Sequence, residues 1–287
     1  MVKACYQLAK PGIVYGNTFT TIAAFLFACR WQFTFPIAVL MLATVVGIAL
    51  VIASACVLNN YLDRDMDRKM ERTNNRALVT GVISNPHALV FGTVLGLIGF
   101  GLLCTYVNVL TAGVALFGYV SYVVIYGAAK RITHWAGLIG SVPGAVSIVV
   151  GYTAVTGKLD VIALLLFLIL VAWQMPHFYA IALYRLEEYK NADVPVFPAM
   201  RGIRETKMHI IAFALLYVLA TASLFWSGRV GYVYLVSVLA FGLSWLWRSS
   251  KGFKATNDAL WAKKLFLFSL IVLVSFCITL GFSPLLP

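Results

Sequence analysis

Charged residues are scarce in this chain. They make up 11% of its 287 residues, whereas 62% are hydrophobic, and the mean hydropathy is +0.91. A chain with so little charge cannot cover a soluble globular fold with polar surface, so that class is excluded. No polar stretch is long enough for a separate water-soluble domain, and we expect residues 1–287 to form a single transmembrane domain.

Cysteine patterns that signal metal or redox chemistry are missing as well. The five cysteines show no CxxC or Cys/His spacing, so they are best explained as apolar packing residues. The N-terminal segment MVKACYQLAKPG has neither an apolar core followed by a small-residue cleavage site nor an Arg- and Ser-rich leader. We therefore expect no signal or transit peptide.

Long apolar runs are abundant instead. Most are about 18 to 23 residues long, enough for a helix to cross a hydrocarbon core of about 30 Å. The sequence therefore predicts an all-α, polytopic membrane protein with nine transmembrane helices around a central cavity. The nine runs are 12–29, 36–58, 87–106, 109–128, 136–156, 161–183, 208–227, 230–247 and 265–283.

The distribution of charge predicts the orientation of these helices. With the N-terminus in the cytoplasm, all of the 22 Lys and Arg residues except Arg30, Lys158 and Arg229 fall on the cytoplasmic side. Asp160 is the only acid on the opposite side, so we expect the cavity to open towards the cytoplasm and the chemistry to occur there. This topology accounts for the net charge of +12, and nucleic-acid binding is not expected.

The densest charge lies in NNYLDRDMDRKMERTNNR, Asn59 to Arg76. Asn60, Asp63 and Asp67 are spaced i, i+3 and i+7, so on a helix their oxygens share one face and suit a divalent cation, whereas Asp65 points elsewhere. Arginines at every fourth position form a positive row beside these acids if the helix continues that far. The alternative is a solvated loop with topology-determining arginines. These arginines are Arg64, Arg68, Arg72 and Arg76.

A magnesium ion at this site would lack ligands. Mg²⁺ held by few protein oxygens normally shares its remaining positions with water and substrate phosphates, so we expect a diphosphate with Arg and Lys donors around it. For Lys130 and Arg131 a purely topological role fits the sequence equally well. The predicted diphosphate-binding residues are Arg64, Arg72, Arg76, Lys130, Arg131, Arg185 and Lys190.

A second polar segment, Tyr184 to Pro198, follows the sixth apolar run just as the first polar segment follows the second run. The spacing suggests a weak internal repeat whose two polar segments face each other across the cavity. The alternative is an amphipathic surface helix with ordinary i, i+3 and i+4 charge pairs. The candidate site residues here are Tyr184, Glu188, Tyr189 and Asp193.

His177 lies within the sixth apolar run, next to Pro176. An ionisable group inside a membrane span is a functional hypothesis by default. The imidazole can ligate a metal-bearing ligand or hydrogen-bond a polar substituent, but a core histidine bonded to a neighbouring carbonyl fits the sequence equally well. His209, near the end of another run, is the second candidate.

Four segments carry a family resemblance: KPGIVYGN at Lys10 to Asn17, NNYLDRDMDRKMERTNNR at Asn59 to Arg76, WQMPHFYAIA at Trp173 to Ala182, and VPVFP at Val194 to Pro198. Together they resemble the UbiA-type membrane prenyltransferases, and within them the haem-modifying branch, over nearly the whole chain. Asn60 stands where the wider family often has Asp, and EEYKNAD replaces its second acidic motif; both departures match this branch. Ala77 stands where the branch often has Pro.

The resemblance implies a prenyltransferase that joins farnesyl diphosphate to a vinyl group of haem b. Water adds to the product, giving haem O, and diphosphate leaves. Asn60, Asp63 and Asp67 would be the catalytic residues that hold Mg²⁺, while His177 and His209 would bind haem, which is a substrate and not a prosthetic group. The implied setting is the lipid bilayer of a bacterial inner membrane, with hand-over to a haem-copper oxidase or a haem A synthase as a further expectation.

Two other functions stay open on the sequence. An enzyme of the same fold could prenylate a quinone precursor such as a hydroxybenzoate, although Asn60, the altered second segment and WQMPH argue against it. A transporter of haem or of a lipid phosphate would also use a basic cavity. The scarcity of charge on the outer side favours one-sided chemistry over transport.

Overall fold

The computed structural model describes residues 2–287, which form a bundle of long helices without a β-strand. A short helix, Val2–Leu8, precedes nine long ones. The long helices are α1 (Pro11–Cys29), α2 (Phe35–Asp67), α3 (Asn85–Val107), α4 (Val109–Ile132), α5 (Ala136–Thr156), α6 (Val161–Tyr184), α7 (Ile203–Ser227), α8 (Tyr232–Ser250) and α9 (Asp258–Leu285).

Eight of these helices, all except α8, are long and apolar enough to cross a membrane by length and composition. Helix α8 occupies the place of the predicted run 230–247, but it is rich in Trp, Tyr and Ser and ends near Arg248. The all-α, polytopic architecture is therefore confirmed. The ninth span and the cytoplasmic opening of the cavity stay predictions.

Several helices extend beyond the apolar runs that predicted them. Helix α2 continues to Asp67 instead of stopping at 58, α7 begins at Ile203 instead of 208, and α9 begins at Asp258 instead of 265. Hydropathy detects only the apolar part of a helix, so polar extensions escape it. The extension of α2 is the one that carries the acidic residues.

Side-chain caps fix several helix starts. The side-chain oxygens of Asn108, Asp160 and Asn257 accept hydrogen bonds of 2.8, 3.0 and 2.9 Å from backbone N–H groups three residues further on. Each cap satisfies a donor that the first helical turn would leave without a partner. Three of the long helices, α4, α6 and α9, thus begin where the sequence supplies an Asn or Asp.

Close helix crossings depend on glycine. A Cβ on Gly151 of α5 would lie 2.1 Å from the backbone oxygen of Thr21 in α1, and a Cβ on Gly99 of α3 would lie 2.8 Å from the backbone oxygen of Gly47 in α2. Only glycine allows the backbones to approach this closely. These contacts hold α1 against α5, and α3 against α2, around a central space.

That central space is a cavity of about 740 Å³ with walls from α1, α2, α4, α5, α6 and α9. Asp63, Asp67 and Lys130 line its polar end, whereas Leu270 and Leu273 of α9 belong to its apolar lining. Hydrophobic ligand parts and a charged head group can therefore share one cavity.

Candidate active site

The polar extension of α2 brings the two predicted acids together on the cavity wall. Asp63 and Asp67 are 5% and 4% exposed, and both line the cavity, so their i, i+4 spacing on a continuous helix puts the carboxylates on one face. Asp65 points away, with a side chain that is 73% exposed. The helix thus directs Asp63 and Asp67 to the cavity and Asp65 away from it, as their spacing predicts.

The predicted row of arginines does not form, because α2 ends at Asp67. The Thr73 hydroxyl donates to the Asp67 backbone oxygen at 2.9 Å, and the chain then folds back in a series of turns. Arg68 is exposed and lies outside the cavity lining, while Arg72 and Arg76 return to line the cavity beside the acids. Folding back, and not a longer helix, supplies the positive charge.

Arg76 links Asp67 to Asn60. Its guanidinium donates to Asp67 Oδ2 at 2.5 Å and to Asn60 Oδ1 at 3.0 Å, while Asn60 Nδ2 donates to the Leu8 backbone oxygen at 2.7 Å. Both ends of the Asn60 amide are therefore engaged, and Asn60 lies behind the cavity lining. Here Asn60 holds Arg76 in place, a different arrangement from the direct metal contact expected from spacing.

Asp63 faces two basic side chains of α4. Lys130 donates to Asp63 Oδ2 in a buried ion pair, and Arg131 lies 3.9 Å from Oδ1 while also donating to the Leu62 backbone oxygen. Asp63 Oδ1 is buried without a hydrogen-bond partner among residues 2–287. Burying an acceptor in this state is costly, which indicates a partner that the protein itself does not supply.

Lys10 and Asn59 also belong to this site, although sequence reasoning assigned them no role. Lys10 Nζ donates to Asn59 Oδ1 at 2.8 Å, and both residues line the cavity. Burial lowers the pKa of the Lys10 ammonium from 10.5 to about 8. The sequence signals that could have identified them were the KPG segment, which contains Lys10, and the Asn59-Asn60 pair at the start of the acidic motif.

Helix α4 widens into a π-helical turn at Ser121–Tyr126, next to these acids. Tyr122 and Tyr126 line the cavity there, and Lys130 Nζ lies 5.2 Å from the centre of the Tyr126 ring. Such turns often occur at functional sites, because the extra residue redirects side chains. The turn gives the polar end of the cavity an aromatic wall.

The two polar segments meet at this end of the cavity. Arg72 donates to the Tyr189 hydroxyl at 3.0 Å and lies 3.8 Å from Glu188, while Lys69 lies 3.9 Å from Asp193. Of the second segment's predicted site residues, only Tyr189 lines the cavity.

The other predicted basic residues have local partners outside the cavity lining. Arg64 pairs with Asp65 at 3.3 Å, and Lys190 pairs with Glu187 at 2.9 Å. Arg185 bonds to both Glu188 and Tyr184, at 2.7 Å each. Arg131 reaches Asp63 but also lies outside the lining, so of the seven predicted residues only Arg72, Arg76 and Lys130 line the cavity.

The two predicted histidines lie in different environments. His177 lines the cavity and stacks on Trp173, with ring centroids 4.8 Å apart. His209 lies outside the lining, 4.6 Å from Phe197 in an aromatic cluster, with its Nδ1 at 3.3 Å from the Tyr179 hydroxyl. Of these two histidines, only His177 is therefore in position to contact a ligand in the cavity.

The donor set fits a magnesium ion bound together with a phosphate. Among residues 2–287 no three His, Cys, Asp or Glu side chains converge on a metal-sized space, so the protein offers few ligands of its own. Asp63 and Asp67 supply hard oxygens, and Mg²⁺ bound by one or two carboxylates completes its shell with water and substrate phosphate.

Comparison with known proteins shows the family of this chain. A model of the UbiA prenyltransferase family matches residues 17–271. The chain is 45% identical over 282 residues to the Protoheme IX farnesyltransferase of Yersinia pseudotuberculosis serotype O:1b, covering 98% of this chain and 95% of that protein.

Solved structures share the fold. A digeranylgeranylglyceryl phosphate synthase is similar with a TM-score of 0.81 and 17% identity, covering 99% of this chain and 98% of that chain. A UbiA homologue from Archaeoglobus fulgidus bound to GPP and Mg²⁺ is similar with a TM-score of 0.67 and 16% identity, covering 98% of this chain and 99% of that chain. With the family model matched over most of its length and a full-length relative at 45% identity, the chain belongs to the UbiA prenyltransferase family.

Proposed function

We propose that this chain transfers the farnesyl group of farnesyl diphosphate to a vinyl group of haem b, with addition of water, to give haem O and diphosphate. The observation that carries the proposal is one cavity that combines two buried carboxylates, Asp63 and Asp67, with basic side chains at its polar end and His177 on its wall. The likeness to a protein named Protoheme IX farnesyltransferase supports haem as the acceptor.

The polar end of the cavity would bind the diphosphate. Asp63 and Asp67 would hold Mg²⁺ against it, and the bound metal would withdraw negative charge from the leaving group. Arg76 and Lys130, which contact these carboxylates in the structure, would share the developing charge, with Lys10 beside them. Catalysis of diphosphate departure is then mainly electrostatic.

The middle of the cavity would receive the farnesyl group. Loss of diphosphate places positive charge on the allylic carbon, and the rings of Tyr122 and Tyr126 at the polar end, together with Tyr119, line the cavity. Aromatic faces stabilise positive charge. The apolar walls would also delay capture of the allylic carbon by water.

Haem b would lie in the deeper part of the cavity, against His177. Its vinyl group is itself the nucleophile, so no base is needed to generate it. Attack on the allylic carbon leaves a positive charge on the vinyl carbon next to the porphyrin, and water ends the reaction there. His209 has no role in this proposal, because it lies outside the cavity lining.

The orientation belongs to the same proposal. The N-terminus and the diphosphate end would face the cytoplasm of a bacterial inner membrane, where farnesyl diphosphate is accessible. Haem O, being apolar apart from its propionates, would leave towards the bilayer or pass to a downstream haem enzyme.

Mass spectrometry of extracted haem tests the proposal. Purified protein is incubated with haem b, farnesyl diphosphate and Mg²⁺, with an EDTA-treated sample as control. We expect a magnesium-dependent gain of one farnesyl group and one hydroxyl group. Unchanged haem b beside a prenylated hydroxybenzoate would instead establish the quinone-precursor reaction, and the absence of any prenylated product would contradict a transferase function.

A further inference from the structure

Gln174 presents an unpartnered acceptor to the cavity. Its side chain is 4% exposed, and Nε2 donates to the backbone oxygens of Ser141 and Leu170 at 3.2 Å each. Two carbonyl partners identify this end as the amide nitrogen, so Oε1 is the other end. Oε1 has no hydrogen-bond partner among residues 2–287 and is not fully buried, so it opens to the cavity that Gln174 lines.

Gly144 leaves the room for this amide. A Cβ at that position would lie 2.0 Å from Gln174 Oε1, so any larger residue would displace the oxygen. Glycine here therefore preserves a polar atom in an otherwise largely apolar wall. An amide oxygen that faces the cavity without a protein partner needs a hydrogen-bond donor, which indicates that a bound molecule supplies one when the cavity is filled.

His177, one turn further along α6, presents a second acceptor. Its Nδ1 lies 2.7 Å from Ser269 Oγ, and the single hydroxyl proton of Ser269 is directed at the Phe266 backbone oxygen, 2.6 Å away. Ser269 Oγ must then accept from Nδ1–H, which leaves Nε2 with a free lone pair. Nε2 has no partner among the described residues and is not fully buried either.

We propose that Gln174 Oε1 and His177 Nε2 bind the water molecule that ends the reaction, and that Nε2 accepts its proton. The inference rests on the proposed function and adds its water site. Residues three apart on a helix are neighbours on one face, and both side chains line the cavity, so a water between them would donate a hydrogen bond to each acceptor. Both protons are then engaged, and the oxygen lone pairs point into the cavity.

The step balances. The bond between farnesyl carbon 1 and the diphosphate oxygen breaks, with its electron pair leaving on diphosphate, and the terminal vinyl carbon forms the new carbon–carbon bond. The water oxygen then bonds to the remaining vinyl carbon, and one water proton passes to Nε2 of His177. Ser269 is a positioning residue here, since it fixes the tautomer of His177 without touching the reacting atoms.

Without a positioned water, the cation on the vinyl carbon can react in another way. It can lose a proton from a neighbouring carbon and give an alkene, a farnesylated haem that is one water lighter than haem O. The product ratio therefore reports on the water site, whereas a general loss of packing lowers both products together. General-base effects of about 10²-fold are common, so a change in this ratio of about 10-fold is readily expected.

The test compares Gln174→Met, Ser269→Ala and His177→Gln with the wild type in the haem assay. Ser269→Thr, which keeps the hydroxyl, is the conservative rescue. Ser275→Ala is the matched control, because Ser275 lies on the same helix and bonds to Ser237 at 3.0 Å, outside the cavity lining. The reactions are run in ¹⁸O-labelled water, and the products are then separated and identified by mass spectrometry.

We expect the first three variants to raise the ratio of alkene to labelled haem O about 10-fold, and Ser269→Thr and Ser275→Ala to keep the wild-type ratio. Haem O in wild-type proportion from Gln174→Met and His177→Gln would overturn the inference while leaving farnesyl transfer intact. An altered ferric haem spectrum in His177→Gln with an unchanged ratio would assign Nε2 to the iron instead. A wild type without any farnesylated haem would contradict the proposed function itself.

Discussion

Asp63 and Asp67 are the side chains that the fold alone does not require. Replacing a buried ion pair with apolar side chains is often neutral or stabilising, so the pairs with Lys130 and Arg76 are weak evidence for a structural role. The unpartnered Oδ1 of Asp63 points to a ligand. Chemistry is the better explanation for keeping these acids in a largely apolar protein.

Neutralising either acid should therefore abolish most activity while the protein still folds. In Asp63→Asn and Asp67→Asn, we expect kcat/KM for farnesyl diphosphate to fall by about 10²-fold or more, the scale of a lost electrostatic contact to a leaving group. Asp65→Asn is the matched control, because that exposed carboxylate lies on the same helix outside the cavity. Wild-type turnover in Asp63→Asn would remove this residue from the metal site.

We expect Lys10 to make the activity depend on pH around 8. Because burial lowers its pKa to about 8, the free enzyme carries the ammonium below this pH and loses it above. The ammonium would attract diphosphate, so kcat/KM for farnesyl diphosphate should decrease as pH rises through about 8. In Lys10→Arg, which stays charged, this decrease should be absent; an unchanged pH profile would exclude Lys10 as the titrating group.

Residue spacing predicted part of this site and could not predict the rest. Asp63 and Asp67 were found because their spacing is a local property of one helix. Lys10 lies 49 residues from Asn59, and Ser269 lies 92 residues from His177, so these contacts exist only after the helices have packed. Long-range partners of this kind leave no periodic signal in one sequence.

At the scale of elements, the end of α2 shows what a pattern cannot decide. Arginine at every fourth position fits a continuing helix, and no Gly or Pro follows Asp67 until Gly81. The helix nevertheless ends at Asp67, where Arg76 folds back onto the carboxylate at 2.5 Å. A tertiary ion pair overrides the local preference for a helix, which is why the predicted row was wrong.

The crossing of α1 and α5 leaves no room for a side chain at Gly151. Gly151→Ala would place a methyl group 2.1 Å from the Thr21 backbone oxygen, so the two helices must separate. Overpacking of this kind costs about 1 to 3 kcal/mol, and we expect a lower thermal unfolding midpoint in detergent. Gly113→Ala, which meets no atom within 4 Å, should not lower the midpoint; equal midpoints for both variants would contradict the packing.

At the scale of the whole molecule, the charged residues that line the cavity gather at one end. The predicted sidedness can be tested with an impermeant maleimide on right-side-out vesicles, in a Cys104→Ser background because Cys104 is exposed. Lys158 is predicted to lie on the outer side and Lys254 on the cytoplasmic side. Lys158→Cys should therefore react at once, and Lys254→Cys only after permeabilisation. The reverse pattern would invert the topology.

Hydropathy predicted the helical architecture, because each long apolar run is visible in the sequence. The resemblance of four motif segments predicted the family. The shape of the cavity was not predictable, since it depends on contacts such as that between Gly144 and Gln174.

A competition assay tests the choice of acceptor most directly. Purified protein with Mg²⁺ receives limiting radiolabelled farnesyl diphosphate and equal concentrations of haem b and 4-hydroxybenzoate, and the label in each product is counted. We expect nearly all transferred label in haem O. Label accumulating in the prenylated aromatic acid, with haem b unchanged, would contradict haem as the substrate.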